Sequence, residues 1–210
     1  MSILLFLLLL LPDKEIMVYE TNDKGKIGTM HLTAAKDSTG YRVVYEWEDR
    51  RLEVLFDTLD MSTLYVKKTV GDKVELEITK KDKFKVYFKG RRQSYGADKP
   101  IYDRHAIEYA LRGFDYNKDF KTKIRFHVPE FMIVNADVAV VGEGEVTAAE
   151  LGEFDCWKVE LKPHVLFFKW RFYFWIEKEY PHRFIKYEDS SGKNSILLIE
   201  YEEIAPNPDD

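Results

Sequence analysis

Cysteine is nearly absent: the chain of 210 residues has one, Cys156. That excludes an intramolecular disulfide framework and any metal site built from several thiolates. Long apolar runs are absent too. The longest, Ile3–Leu11 (ILLFLLLLL), ends at Pro12, well short of the roughly 20 residues that a membrane-crossing helix needs. Neither sign of charge dominates. The 32 Lys and Arg against 37 Asp and Glu leave a net charge of −5, which speaks against a global field for nucleic acid. Catalytic signatures are also missing: there is no HExxH, no GxSxG elbow, and no pair of histidines four residues apart. Gly142 and Gly144 (VGEGEV) lack the third glycine and the helix of a dinucleotide loop, and read as a bulge or turn between strands. No metal, no cofactor and no enzyme activity is expected.

Aromatic residues are abundant, with 13 Tyr, 14 Phe and 4 Trp, and they favour sheet and apolar binding surface. From Glu15 onward apolar residues recur at every second position. Tyr41, Val43, Tyr45 and Trp47 form one such set, and Leu52, Val54 and Phe56 another. The same period runs through Val74–Ile78, Phe84–Phe88, Ile124–Val128 and Trp157–Leu161, each defining a strand with one dry face. Cys156 falls on the face opposite Trp157 and reads as an inert, buried thiol. Polar, turn-prone stretches separate the runs, as at Asn22–Gly25, Asp37–Gly40, Gly71-Asp72, Lys81-Asp82 and Ser190–Gly192. Connections this short join antiparallel neighbours.

One segment changes period. Pro100–Gly113 (PIYDRHAIEYALRG) sets Ala106, Ile107, Ala110 and Leu111 at helical spacing behind Asp103 as a cap, which predicts a helix near residues 101–112. A lone helix among so many strands must cover an apolar sheet face. The expected fold class is mainly β: an antiparallel meander too poor in helix to lie flat, and therefore curled as a barrel, half-barrel or sandwich.

The organisation follows. Residues 1–12 read as a signal-like segment whose apolar core has the length of an export signal, with no preceding Lys or Arg and no small-x-small site after it. Residues 13–204 form a single domain, and 205–210 (APNPDD) a solvated tail. The densest aromatic stretch, 165–176, aligns Leu166, Phe168, Trp170, Phe172, Phe174 and Ile176 on one face. Phe168, Trp170, Phe172 and Phe174, with Tyr45, Trp47, Phe84, Phe88 and Phe126, are the candidate lipid-binding residues. A basic hairpin carrying Lys81, Lys83, Lys85, Arg91 and Arg92 between aromatic residues is a candidate for anionic headgroups or a partner protein. Its plain alternative is a lysine-rich solvated face that blocks edge-to-edge aggregation. Asp103, His105 and Glu108 are the nearest approach to a polar cluster, and read as a solvated helix face rather than a metal or acid–base site.

Three phrases carry a family resemblance: Asp103–Phe114 (DRHAIEYALRGF), Gly142–Leu161 (GEGEVTAAELGEFDCWKVEL) and Phe174–Glu188 (FWIEKEYPHRFIKYE). Their order and spacing resemble an uncharacterised family of exported proteins of Gram-negative bacteria. That family is similar in fold to the periplasmic lipoprotein carriers of the Lol system. The resemblance implies a strongly bent, unclosed antiparallel barrel with helix on its concave side, and a periplasmic, lipid-facing protein. The expected function is non-catalytic binding of an acyl chain, lipid or acylated protein in an apolar concavity, with Ile101, Ile107 and Leu111 on a gate helix. The alternative is a cell-envelope scaffold that binds another protein through a sheet edge or the basic hairpin. Neither nucleic acid nor a transmembrane span belongs to either reading.

Overall fold

The computed structural model describes residues 11–128, 132–165 and 170–205. Most of the signal-like segment, Phe168 and nearly all of the tail lie outside the described residues. The rest is one antiparallel sheet of fifteen strands. The N-terminal strands are β1 (Lys14–Asp23), β2 (Lys26–Asp37), β3 (Gly40–Trp47), β4 (Arg50–Phe56), β5 (Thr63–Val70), β6 (Lys73–Lys80), β7 (Lys83–Phe88) and β8 (Arg91–Gly96). After them come β9 (Ile101–Asp103), a 3-10 turn at Arg104–Ala106 and the helix α1 (Ile107–Leu111). The C-terminal strands are β10 (Lys121–Val128), β11 (Met132–Thr147), β12 (Glu153–Pro163), β13 (Phe172–Glu177), β14 (Phe184–Asp189) and β15 (Asn194–Glu203). The predicted turns at Asn22–Gly25, Asp37–Gly40, Gly71-Asp72, Lys81-Asp82 and Ser190–Gly192 all join hairpins. Gly142 follows a β-bulge in the β11–β12 ladder.

The strands form the expected meander, with one pairing that the hairpins do not announce. β1 lies in the middle, paired with β2 on one side and with the last strand, β15, on the other. The sheet therefore grows outward in two directions, to β8 at one edge and β9 at the other. β9 pairs with β10 in parallel, the one exception among the ladders. Yet β8 and β9 are joined by residues 97–100 alone, and so short a link reaches about 17 Å at most. The two edges must therefore curl toward each other. Asp103 N donates to Thr63 Oγ1 at 2.9 Å, Tyr102 OH to the Asp60 carbonyl at 2.9 Å, and Arg125 Nη2 to the Gly96 carbonyl at 3.2 Å. Phe84 on β7 meets His127 on β10 with ring centroids 5.6 Å apart. The seam is thus bridged by side chains while the sheet stays unclosed as a backbone ladder.

The helix is shorter than the spacing predicts. Ile101–Asp103 is drawn into the parallel strand β9, so α1 keeps five residues. Asp103 does cap the turn that follows, accepting from His105 N at 2.9 Å. A helix this short has no stability of its own, and tertiary contacts hold it on the concave side. Ile107, Tyr109, Ala110 and Leu111 are buried, and Tyr109 stacks on Tyr41 and Phe56 at 5.6 and 5.8 Å.

The strongest anchor is Arg112, directly after the helix. Its guanidinium and the Glu15 carboxylate of β1 are both fully buried. Nη1 and Nη2 donate to the two Glu15 oxygens at 2.5 and 3.1 Å, while Nε and Nη2 donate to the carbonyls of His182 and Pro181 at 2.9 and 3.0 Å. Tyr109 OH adds a 2.6 Å bond to Glu15, and its ring lies 4.6 Å under the guanidinium. Such a pair is costly to break from one side, because the remaining charge is stranded in low dielectric. Arg112→Met is expected to lower stability by about 3–5 kcal/mol in urea denaturation. The double variant Arg112→Met/Glu15→Leu is expected to recover most of that loss, because both charges are then gone.

Candidate functional site

The helix fills one end of the curled sheet and leaves the other open. Tyr41, Phe56, Met61, Tyr109 and Arg112 occupy the filled end, where β1 and β3 begin. Toward the opposite end lies a cavity of about 780 Å³, in the upper part of the roughly 300–1,000 Å³ range of small-molecule sites. Its rim is made by the β1–β2, β3–β4 and β14–β15 hairpins, including Asp23, Lys26, Glu48, Arg50 and Ser191. Lys26 and Glu48 form an exposed 2.6 Å ion pair across two of these hairpins. The inner wall is apolar, built by Met30, Leu52, Val128, Leu161, Phe184 and Ile196 from six different strands. Period-two alternation puts all of these side chains on one sheet face.

Of the residues expected to bind lipid, Tyr45, Trp47, Phe126, Trp170, Phe172 and Phe174 line this cavity. Phe84 and Phe88 do not. Phe84 is buried against His127 at the seam, and Phe88 lies half-buried farther out on β7. Their alternation is right, but sheet order carries β7 away from the open end. Phe168 lies outside the described residues. Of the expected gate residues, Ile107 lines the cavity, Leu111 is packed at the filled end, and Ile101 belongs to β9 rather than to a helix.

The basic hairpin is divided. Lys83, Lys85 and Arg92 lie on its outer face, with Glu77 among their neighbours, whereas Arg91 pairs with Phe88 on the inner one. Lys81 sits in the turn between β6 and β7. Cys156 is fully buried, and burial, with Glu177 and Asp155 nearby, pushes its thiol up to about 12. This is the inert sulfur that the strand pattern predicts.

The supposed solvated helix face is the main correction. Asp103 is fully buried, accepting from His105 Nδ1 at 2.8 Å and from His127 Nδ1 at 2.5 Å. Burial alone would raise its carboxyl, but the two imidazoles outweigh it and hold the group well below the usual carboxylate range. Arg104, His105 and Glu108 all line the cavity. Glu108 is half-buried in the wall, and burial, reinforced by the Asp103 charge, pushes its carboxyl up to about 7. The Tyr45 hydroxyl lies against it, buried and without a hydrogen bond of normal geometry. A signal for this was present in the sequence. Glu108 is flanked by Ile107, Tyr109, Ala110 and Leu111, so the short helix has no polar face for it to share.

The sign of the Glu108 effect on stability follows from its raised folded-state value. Unfolded, the carboxyl ionises near 4.5; folded, it holds its proton to about 7. Stability from this group is complete below the lower value and is lost as pH rises through the higher one. Asp103 acts in the opposite sense and at lower pH, since its lowered carboxyl costs stability only as acid protonates it. Melting curves are therefore expected to show a loss of about 1–2 kcal/mol between pH of about 5 and 7.5. Glu108→Gln should flatten that slope.

Among known proteins, one solved structure shares this architecture. No curated protein matches the sequence. A β-barrel-like protein of the domain of unknown function DUF1849 from Brucella abortus aligns over 93% of this chain and 100% of its own, at 13% identity and a TM-score of 0.58. A candidate lipoprotein from Parabacteroides distasonis aligns over 92% of this chain and 98% of its own, at 12% identity and a TM-score of 0.36. A candidate exported protein with a YmcC-like fold from Bacteroides fragilis covers the same shares at 11% identity and a TM-score of 0.33. Of these, the Brucella protein shows a shared fold. Residues 14–198 match the DUF3108 family model, described as a protein of unknown function. The chain therefore belongs to the DUF3108 family.

Proposed function

We propose that this protein binds the hydrocarbon chain of a lipid or acylated protein in the open end of its curled sheet, without catalysis. The observation that carries the proposal is the underfilled interior. A wall of Phe126, Phe172, Phe174, Phe184, Leu161 and Leu52 surrounds space that no side chain of the described residues occupies. Moving an acyl chain from water into such a space contributes about 0.8 kcal/mol per CH₂. A chain of ordinary length is therefore held with few polar contacts. Trp47 and Trp170, near the rim, offer wide apolar faces with a polar edge, which suits the boundary between a buried tail and a wet headgroup.

The binding reading requires no motion of the helix. Displacing α1 would break the buried Arg112–Glu15 pair, whereas the rim hairpins are linked by the exposed Lys26–Glu48 pair and by the backbone bond of Lys24 N to the Lys193 carbonyl. Exposed pairs contribute little, so the ligand enters along the axis, between the hairpins. The apolar run Ile3–Leu11 supports an extracytoplasmic setting. No helix among the described residues is long and apolar enough to cross a membrane.

Protein purified from a bacterial host is expected to carry co-purifying lipid in native mass spectrometry and to take up fluorescent fatty-acyl probes after delipidation. Ile196→Trp places a large ring in the open space from a half-buried wall position. It should weaken probe binding by about tenfold or more while shifting the melting temperature by only a few degrees. Absence of both lipid and probe binding would refute the proposal.

A further inference from the structure

The cavity wall contains one feature that a simple hydrocarbon sleeve would not keep. Glu108 on the short helix and Arg112 directly after it stand four residues apart, the spacing and polarity at which an acid and a base ordinarily pair. Here Arg112 is turned away and spent on Glu15 and two backbone carbonyls. Among the described residues Glu108 makes no ion pair, and the Tyr45 hydroxyl is set against its carboxyl; Arg104, four residues before it, lines the same cavity. The other candidates nearby are also committed. His105 gives its Nδ1 to Asp103, and Asp103 takes His127 as well. Against Glu108 stands the Tyr45 hydroxyl, 99% removed from solvent as a residue and, among the described residues, with that carboxyl as its one polar neighbour within reach. Tyr187 lines the same part of the wall from β14.

A buried polar group left unpaired costs about 1–3 kcal/mol, more when charged. Tyr45 can satisfy one lone pair of the Glu108 carboxylate, and in a largely apolar wall that also carries Arg104 and His105 the remaining acceptor sites are left for the guest. An ionised carboxyl accepts and cannot donate, and it repels an anion at short range. We infer that Glu108 and Tyr45 form the polar recognition point of the cavity, and that the preferred guest is an amphiphile whose polar group donates hydrogen bonds and carries no negative charge, such as an amide, hydroxyl or ammonium, rather than a carboxylate. The inference rests on the hydrocarbon-binding reading above and adds the headgroup class to it.

The test uses delipidated, full-length protein and four dodecyl compounds of equal chain length: dodecanamide, dodecanol, dodecylamine and laurate. Each displaces the neutral dye Nile red at a pH of about 8.5, where Glu108 is ionised. In wild type the amide, alcohol and amine are expected to compete about tenfold or more better than laurate, the ratio that one unsatisfied buried group sets. Glu108→Gln should erase most of the discrimination between amine and laurate, and Tyr45→Phe should weaken the alcohol and amide selectively. Circular dichroism checks the fold of each variant, and displacement by each compound is read relative to that variant's own Nile red affinity. Laurate binding as tightly as the amide in wild type would overturn the inference without any variant, as would a preference that survives Glu108→Gln. If neither Nile red nor any of the four compounds binds wild type, the hydrocarbon-binding reading itself fails, and that outcome is distinct from the other two.

Discussion

The buried pair of Arg112 and Glu15 is the constraint on which the interior depends. A five-residue helix cannot hold its own hydrogen bonds in water, and apolar contacts alone would let it rotate or slide within a wide sheet. The guanidinium removes that freedom because its bonds point in fixed directions: to a carboxylate on β1, to two carbonyls of the β13–β14 connection, and over the Tyr109 ring. Arg is suited to this role by its planar fork, which a lysine ammonium does not reproduce. The pair links the first strand, the helix and the C-terminal half in one contact. It also fixes which end of the sheet the helix fills, and hence where the space remains.

Much of the architecture was legible because strands with one dry face leave a period-two signature that survives in a single sequence. The faces of β3, β4, β7, β10 and β12 and the hairpin turns follow from that signature. The mismatch between a long run of strands and one helix also followed, since so much sheet must curl. The joining of the two ends of the chain was not legible. The pairing of β1 with β15 spans nearly the whole chain, and long-range pairing leaves no local mark in either strand. The shortened helix has a similar cause. Ile101 and Tyr102 fit a helical period, but their backbone groups are claimed by a parallel partner that sequence proximity does not reveal.

The cavity lining was legible in its apolar rings and not in its polarity. Tyr45, Trp47, Phe126, Phe172 and Phe174 were findable because large rings on inward faces have nowhere else to go. Phe84 and Phe88 carry the same signal but lie near the seam, and only tertiary placement separates the two groups. Glu15, Arg112 and Glu108 look like ordinary charged residues next to turns or helix ends. Their roles come from a bond made across 97 positions of sequence. Asp103 was visible as a cap, whereas its burial under two histidines depended on β9 and β10 coming together in parallel.

The unclosed seam and the open end differ in kind. A guest could reach the interior either by parting β8 and β9 or by passing the rim, and the energetics of the two paths are unequal. Parting the seam breaks the bonds of Asp103 to Thr63, Tyr102 to Asp60 and Arg125 to Gly96, and separates Phe84 from His127. Several of these groups are buried, so each lost bond strands a partner away from water. The rim asks for no such loss, since its charged groups remain solvated throughout. The absence of a closing ladder is therefore better understood as a consequence of fitting a helix inside the sheet than as a door. With α1, Tyr109 and Arg112 occupying the concave side, the edges cannot approach to the roughly 4.8 Å spacing of paired strands along their whole length. Side chains bridge the remainder.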